Sequence, residues 1–188
     1  MARKSIIVLV ALAVLVLGGF ISVSGTYNRL VVLDEGVKAS WAQVENQLKR
    51  RFDLIPNLVQ TVKGYARHER EVLVEVTSAR AKVGQAATVP EKMSANATLG
   101  TALSRLLLVV ERYPDLKANQ NFIRLQDELA GTENRISVER RRYNEAVQAY
   151  NISLRRFPTN LLAGSFGFRQ ATFFDAPPAA DTAPAVKF

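Results

Sequence analysis

The sequence predicts an all-α protein: an N-terminal transmembrane helix followed by an antiparallel up-down-up-down bundle of four long helices. Three observations carry this. Residues 6–23, IIVLVALAVLVLGGFISV, hold no charge over a length at the lower edge of a spanning helix. Beyond them apolar residues recur at intervals of three and four, with no period-two run of β-branched residues between turns. Prolines at 56, 90, 114 and 158 divide the remainder into four helical stretches, and short connections between long helices imply antiparallel neighbours.

The apolar run has two readings. Ser22-Val23-Ser24 before Gly25 is a small-x-small pattern of the kind a signal peptidase cuts. Against cleavage, the run exceeds the usual signal-peptide core of about 7–15 residues. No polar spacer follows it, and Tyr27 stands where an interfacial aromatic belongs. The uncleaved signal anchor, residues 6–25, is the favoured reading, with residues 1–5 as a short cytoplasmic N-terminus. Arg3 and Lys4 hold that end inside and place the following domain outside the membrane, although Arg29 and Lys38 nearly balance the flanks.

The bundle is expected over residues 26–157. Its first helix runs from about Tyr27 to Phe52, with the stripe Leu30, Leu33, Val37, Trp41, Val44, Leu48, Phe52, Ile55. That spacing is an eleven-residue repeat at about 3.67 residues per turn, so the helix should be straight or slightly right-handed as a coiled-coil element. The second runs from Pro56 to about Val83, with Leu58, Val62, Tyr65, Val72, Val76, Ala79 and Val83 inward, Glu69 interrupting and Gly84 as a stop. The third opens on Thr88-Val89-Pro90-Glu91, which has capping-box spacing with proline in the first turn. Met93, Ala97, Gly100, Leu103, Leu107 and Val110 form its stripe, Leu99, Leu106 and Val109 a second face, and Tyr113-Pro114 its end. The fourth runs from about Lys117 to Arg156, with Phe122, Leu125, Leu129, Ile136, Arg140, Tyr143, Val147, Tyr150 and Leu154 inward. Arg135 with Glu139, and Arg141 with Glu145, are opposite charges one turn apart.

In this arrangement RRFDLIPNLV, residues 50–59, is the distal corner of the first hairpin. Ile55 precedes a proline and is biased out of the helical region, Pro56 opens the next helix, and Asp53 favours its N-terminus. Arg50, Arg51 and Asn57 would be exposed there. They are candidate partner contacts; the alternative is a corner with no further role.

Four antiparallel helices return the chain to its start, so the Phe-rich residues 158–175 should lie beside the membrane. Five of the nine Phe residues fall between Phe157 and Phe174. They either cap the open end of the bundle or enter the membrane interface. On the second reading Tyr27, Phe157, Leu161, Leu162, Phe166, Phe168, Phe173 and Phe174 meet the lipid, with Arg155, Arg156 and Arg169 on its phosphates. Residues 176–188 are rich in Pro and Ala and are expected to be disordered.

Candidates for chemistry are few. Without cysteine there is no disulfide or thiolate metal centre. His68 is the only histidine and HExxH is absent, so neither a zinc site nor a carboxylate-bridged bundle centre can be assembled. Gly164-Ser165-Phe166-Gly167 lacks the flanking pattern of a nucleophile elbow. No catalytic, metal or cofactor-binding residue is expected. The net charge of +8 is interleaved with acids along every helix, without a stacking platform, which argues against nucleic acid. Arg140 stands out on an apolar stripe. It either snorkels to the surface or forms a polar pair with an acid across the bundle, as a register device.

The blocks YNRLVVLDEGVKASWAQVENQLKRRFDLIPNLVQTVKGYARHE, YPDLKANQNFIRLQDELAGTENRISVERRRYNEAVQAYN and FPTNLLAGSFGF, with FF soon after, resemble the LemA family from about Tyr27 to Asp175. Glu139 departs from the pattern, since a small residue is more usual beside that arginine run. The resemblance implies a helical bundle on one N-terminal membrane helix and no established enzymatic activity. It also implies a place in bacterial membrane organisation, magnetosome membrane formation included, often encoded beside membrane proteases or small membrane-stress proteins. A single-pass protein of the bacterial inner membrane follows, with no catalytic residue to carry over.

The expected function is that of a non-enzymatic membrane-anchored scaffold or adaptor, acting by protein–protein association. Gly18, Gly19, Ala11 and Ala13 permit close helix approach and hence a homo-oligomer. The other expected partners are membrane lipid and a membrane protease or another membrane protein. The alternative is a tethered sensory bundle that binds a small ligand between helices or regulates a membrane protease.

Overall fold

The computed structural model describes residues 2–66 and 68–174, with side chains from residue 9 onward. The expected disorder of residues 176–188 lies outside them. The elements are α1 (Ala2–Tyr65), α2 (Arg70–Gln85), α3 (Val89–Val110), α4 (Pro114–Lys117), α5 (Gln120–Arg155) and α6 (Thr159–Leu162), with no strand among the described residues. An apolar helical stretch stands at the N-terminus, and none of its hydrophobic window is buried. The chain divides into two units, Met1–Trp41 with Tyr143–Phe173, and Ala42–Arg142 with Phe174–Phe188.

The expected corner at Pro56 is overturned, because α1 continues through the proline to Tyr65. Pro56 has no N–H, so the carbonyl of Phe52, one turn earlier, loses its helical donor. Arg80 of α2 supplies one instead, its Nε donating to the Phe52 oxygen at 3.2 Å. The same guanidinium lies 3.9 Å from the Phe52 ring centroid. The break therefore falls after Tyr65.

The second unit holds the larger core. Ile55, Leu58 and Val62 of α1, Val76 of α2, Leu99 and Leu106 of α3, Leu116 of α4 and Phe122 of α5 are almost wholly buried in one cluster. Periodicity explains the inward sets but mislabels their edges. In α1 the inward position near the proline is Arg51, and Phe52 is half-buried. In α2 it is Leu73 that is buried, with Val72 at the margin. In α3 the Leu99–Leu106 face is the core, while Ala97 is exposed and Gly100 and Leu107 are half-buried.

The caps follow the sequence. Thr88 Oγ1 accepts from the Glu91 backbone N–H, and Glu91 Oε2 accepts from Thr88 and Ala87 N–H at 3.1 and 2.9 Å, the predicted capping box. These donors hold the Glu91 carboxyl below its ordinary range. Asn119 Oδ1 takes the N–H groups of Asn121 and Phe122 and so caps α5. Glu75 meets Arg105, and Glu69 meets Arg112, so the ion-paired positions within and just after α3 run in opposite chain order to those preceding and within α2. Glu139 pairs with Arg142 at 2.8 Å rather than with Arg135.

In the first unit Leu30, Val37, Tyr143, Val147 and Tyr150 are buried, and Trp41 meets Tyr143 edge-on with centroids 5.4 Å apart. Burial pushes the Tyr150 phenol up, and the carboxylate of Asp34, hydrogen-bonded to it, acts in the same direction.

Candidate functional site

Two places carry the residues singled out by sequence. The first, in the unit that includes the apolar helix, is the segment after α5. It is tied back to α5 by backbone-seeking side chains. Asn151 donates to the carbonyl of Ala171 and accepts from its N–H, both at 2.9 Å, and the Tyr143 hydroxyl donates to the Thr172 carbonyl at 2.9 Å. These bonds satisfy backbone groups that no helix or strand would satisfy. The Tyr27 ring packs against Phe166 edge-on at 5.2 Å and against Phe168 at 5.7 Å. The Phe-rich segment is thereby held beside the end of the apolar helical stretch.

Within that segment Phe157 is 80% and Leu161 67% exposed. Tyr27, Phe166 and Phe173 are exposed to a lesser degree, and Leu162 and Phe168 are half-buried. Phe174 departs from the expected set: it is buried, with the Arg140 guanidinium 4.2 Å from its ring centroid in the second unit. A ring covered in this way is not available to lipid. From Ala146 to Phe174 the chain holds Arg155, Arg156 and Arg169 and no acid.

The second place is in the other unit, around Arg51. Arg51 was expected at an exposed tip, but it is only 5% exposed. One terminal nitrogen donates to Glu133 Oε2 of α5 at 2.8 Å. The other donates to Asn96 Oδ1 at 2.9 Å and to the Asn96 carbonyl at 3.1 Å. Asn96 is itself buried and held by its amide on the Lys92 carbonyl. Arg50 and Asn57, by contrast, are exposed on α1. Reading only apolar residues into the stripe skipped Arg51. The signal that could have found it is the spacing Leu48, Arg51, Ile55, Leu58, an unbroken 3–4–3 alternation with one charged member.

Arg140 is half-buried beside this cluster. Burial and the charge of Arg51 lower its pKa, while Glu133, on the same helix, acts against them. Lys92 and Glu45 form a further ion pair between α3 and α1. A groove of about 540 Å³ opens here, lined by residues of α1, α3, α5 and Phe174. His68 is exposed. Among the described residues no three His, Asp or Glu side chains converge on one point.

An all-helical protein with an apolar N-terminal helix is the class these features define. The chain belongs to the LemA family, whose model matches residues 40–188 and so covers the Arg51 cluster and the segment after α5, but not Tyr27. It is 29% identical over 182 residues to magnetosome protein MamQ 2 of Paramagnetospirillum magneticum, across 83% of this chain and 67% of that protein. Magnetosome protein MamQ of Magnetospirillum gryphiswaldense is 25% identical over 209 residues, across 97% of this chain and 77% of its own. The protein LemA of Metamycoplasma hominis is 25% identical over 155 residues, across 81% and 70%.

Proposed function

We propose that this protein is a non-enzymatic membrane-anchored scaffold or adaptor of the bacterial envelope, acting by association with copies of itself and with other membrane proteins. In this reading residues 6–25 form an uncleaved single-pass anchor in the inner membrane. The helices beyond form an up-down-up-down bundle, lying outside the cytoplasm. The observation that carries the reading is the packing of Tyr27 on Phe166 and Phe168. It supports placing the segment that carries exposed Phe157 and Leu161, whose charged residues are all arginine, near the end of the apolar helix. Apolar side chains flanked by arginines suit an anionic lipid interface, which would seat the domain against the bilayer at a second point. Family membership supports a membrane role, and two of the relatives are named as magnetosome proteins.

A Cβ at Gly18 or Gly19 would meet nothing within 4 Å, so that face of the anchor is open to a second helix. Arg50 and Asn57 remain proposed partner contacts on α1.

Two measurements test this. A chain lacking residues 1–25 should float with anionic vesicles and not with zwitterionic ones, and Phe157→Asp with Leu161→Asp should abolish flotation. Failure of the parent to float removes the second contact. Cross-linking in native membranes should give higher species; monomers alone would remove the scaffold.

A further inference from the structure

We propose that the groove between α3 and α5 binds a single-chain lipid anion, with a fatty-acid carboxylate at Arg51 and the acyl chain along the small-residue face of α3. Its width comes from Ala97, Gly100 and Ser104 on one wall and Ala130 on the other, and Leu103 and Leu129 line it as apolar surface. A Cβ on Gly100 would meet no heavy atom within 4 Å, so the space beside it is open. From Asn96 to Leu107 the α3 wall is roughly 16 Å long at 1.5 Å per residue, enough for the length of one acyl chain. A volume of about 540 Å³ falls within the range of small-ligand pockets.

Charge selects the headgroup. Arg51 is a buried cation in a furrow that also carries Arg140 and Glu133 and is otherwise lined mainly by apolar and small side chains. Both its terminal nitrogens are engaged, but its Nε–H is buried with no partner. Gln47 Oε1, one turn earlier on α1, is also buried without a partner, so the two groups do not satisfy each other. An unmet donor on a buried guanidinium is costly, and a carboxylate meets it best, because it accepts two parallel N–H bonds along one guanidinium edge. That edge is Nε with Nη2, so the ligand carboxylate takes the Nε–H and shares Nη2 with Asn96, while Glu133 keeps Nη1. The groove thus offers two cations against one acid, together with apolar surface, the pattern that suits a fatty acid. This assignment does not depend on the scaffold reading.

The test uses the full chain in zwitterionic nanodiscs carrying Gly100→Cys, which introduces the only thiol because the protein has no cysteine. With laurate at about ten times its dissociation constant the groove is roughly 90% filled, and maleimide labelling should slow about tenfold. Dodecylamine, of similar chain but opposite charge, should leave the rate unchanged. Thr98→Cys, on an exposed position outside the groove, should label at one rate with or without laurate. Equal protection by the amine, protection at position 98, or no protection at position 100 would overturn the assignment. So would rapid disulfide-linked dimerisation of the Gly100→Cys chain, which would give the groove to a second copy.

Discussion

A proline inside α1 makes a sharp prediction, because its cost is met by one identifiable side chain. Arg80→Met keeps the length and apolar stem but removes the donor to the Phe52 carbonyl and the cation over the Phe52 ring. A hydrogen bond from a charged group contributes about 1.5–3 kcal/mol, and partial exposure here places it near the lower end. The cation–π contact adds about 0.5–1 kcal/mol. Arg80→Met should therefore destabilise by roughly 2 kcal/mol. Pro56→Ala restores an N–H that can bond Phe52 in the ordinary helical way. In that background Arg80→Met should cost only the ring contact, about 0.5–1 kcal/mol. The double-mutant cycle then gives a coupling of about 1 kcal/mol or more between residues on different helices. Urea unfolding of the full chain in a mild detergent, followed by circular dichroism at fixed detergent concentration, measures all four variants. A coupling within about 0.3 kcal/mol of zero, the level of additivity for independent sites, would refute the idea that Arg80 serves the carbonyl freed by the proline.

Three further outcomes are expected. Glu133→Gln leaves Arg51 buried without its carboxylate; a wholly buried pair would cost about 3–5 kcal/mol, and the exposure of Glu133 reduces this to about 1–2 kcal/mol, read by the same unfolding assay. Thr88→Ala should cost about 1 kcal/mol through loss of the α3 cap. The Glu91 carboxyl is held below its ordinary 4.5, so the stability it contributes is complete above that value and is lost as pH falls through the lower folded-state value. Glu91→Gln should accordingly flatten the acid limb of a pH–stability profile, while an unchanged limb would show that the cap charge is not felt. Asn151→Leu should release Ala171 from both of its backbone bonds, and hydrogen exchange at Ala171 should rise to the level of an exposed loop, with the α5 amides still protected.

The sequence alone determined the class of the fold and most of its local punctuation. Helix periodicity, the apolar N-terminal run, the Thr88–Glu91 box and the stop near Tyr113-Pro114 are set by contacts within one or two turns, and such signals survive without tertiary context. The inward face of α5 was legible for the same reason, from Phe122 through Ile136 to Tyr150. Pro56 was misread because its local preference is to break a helix; only α2, by bringing Arg80 to the Phe52 carbonyl, lets α1 continue. Arg51 was misplaced with it. A charged residue on an apolar face reads as exposed until a partner is known, and Glu133 and Asn96 lie 82 and 45 residues away along the chain. Phe174 differs from its neighbours Phe166 and Phe173 for a comparable reason: Arg140, far away in sequence, covers its ring. Burial of charge and the satisfaction of a freed carbonyl are long-range matters, decided by which helices meet.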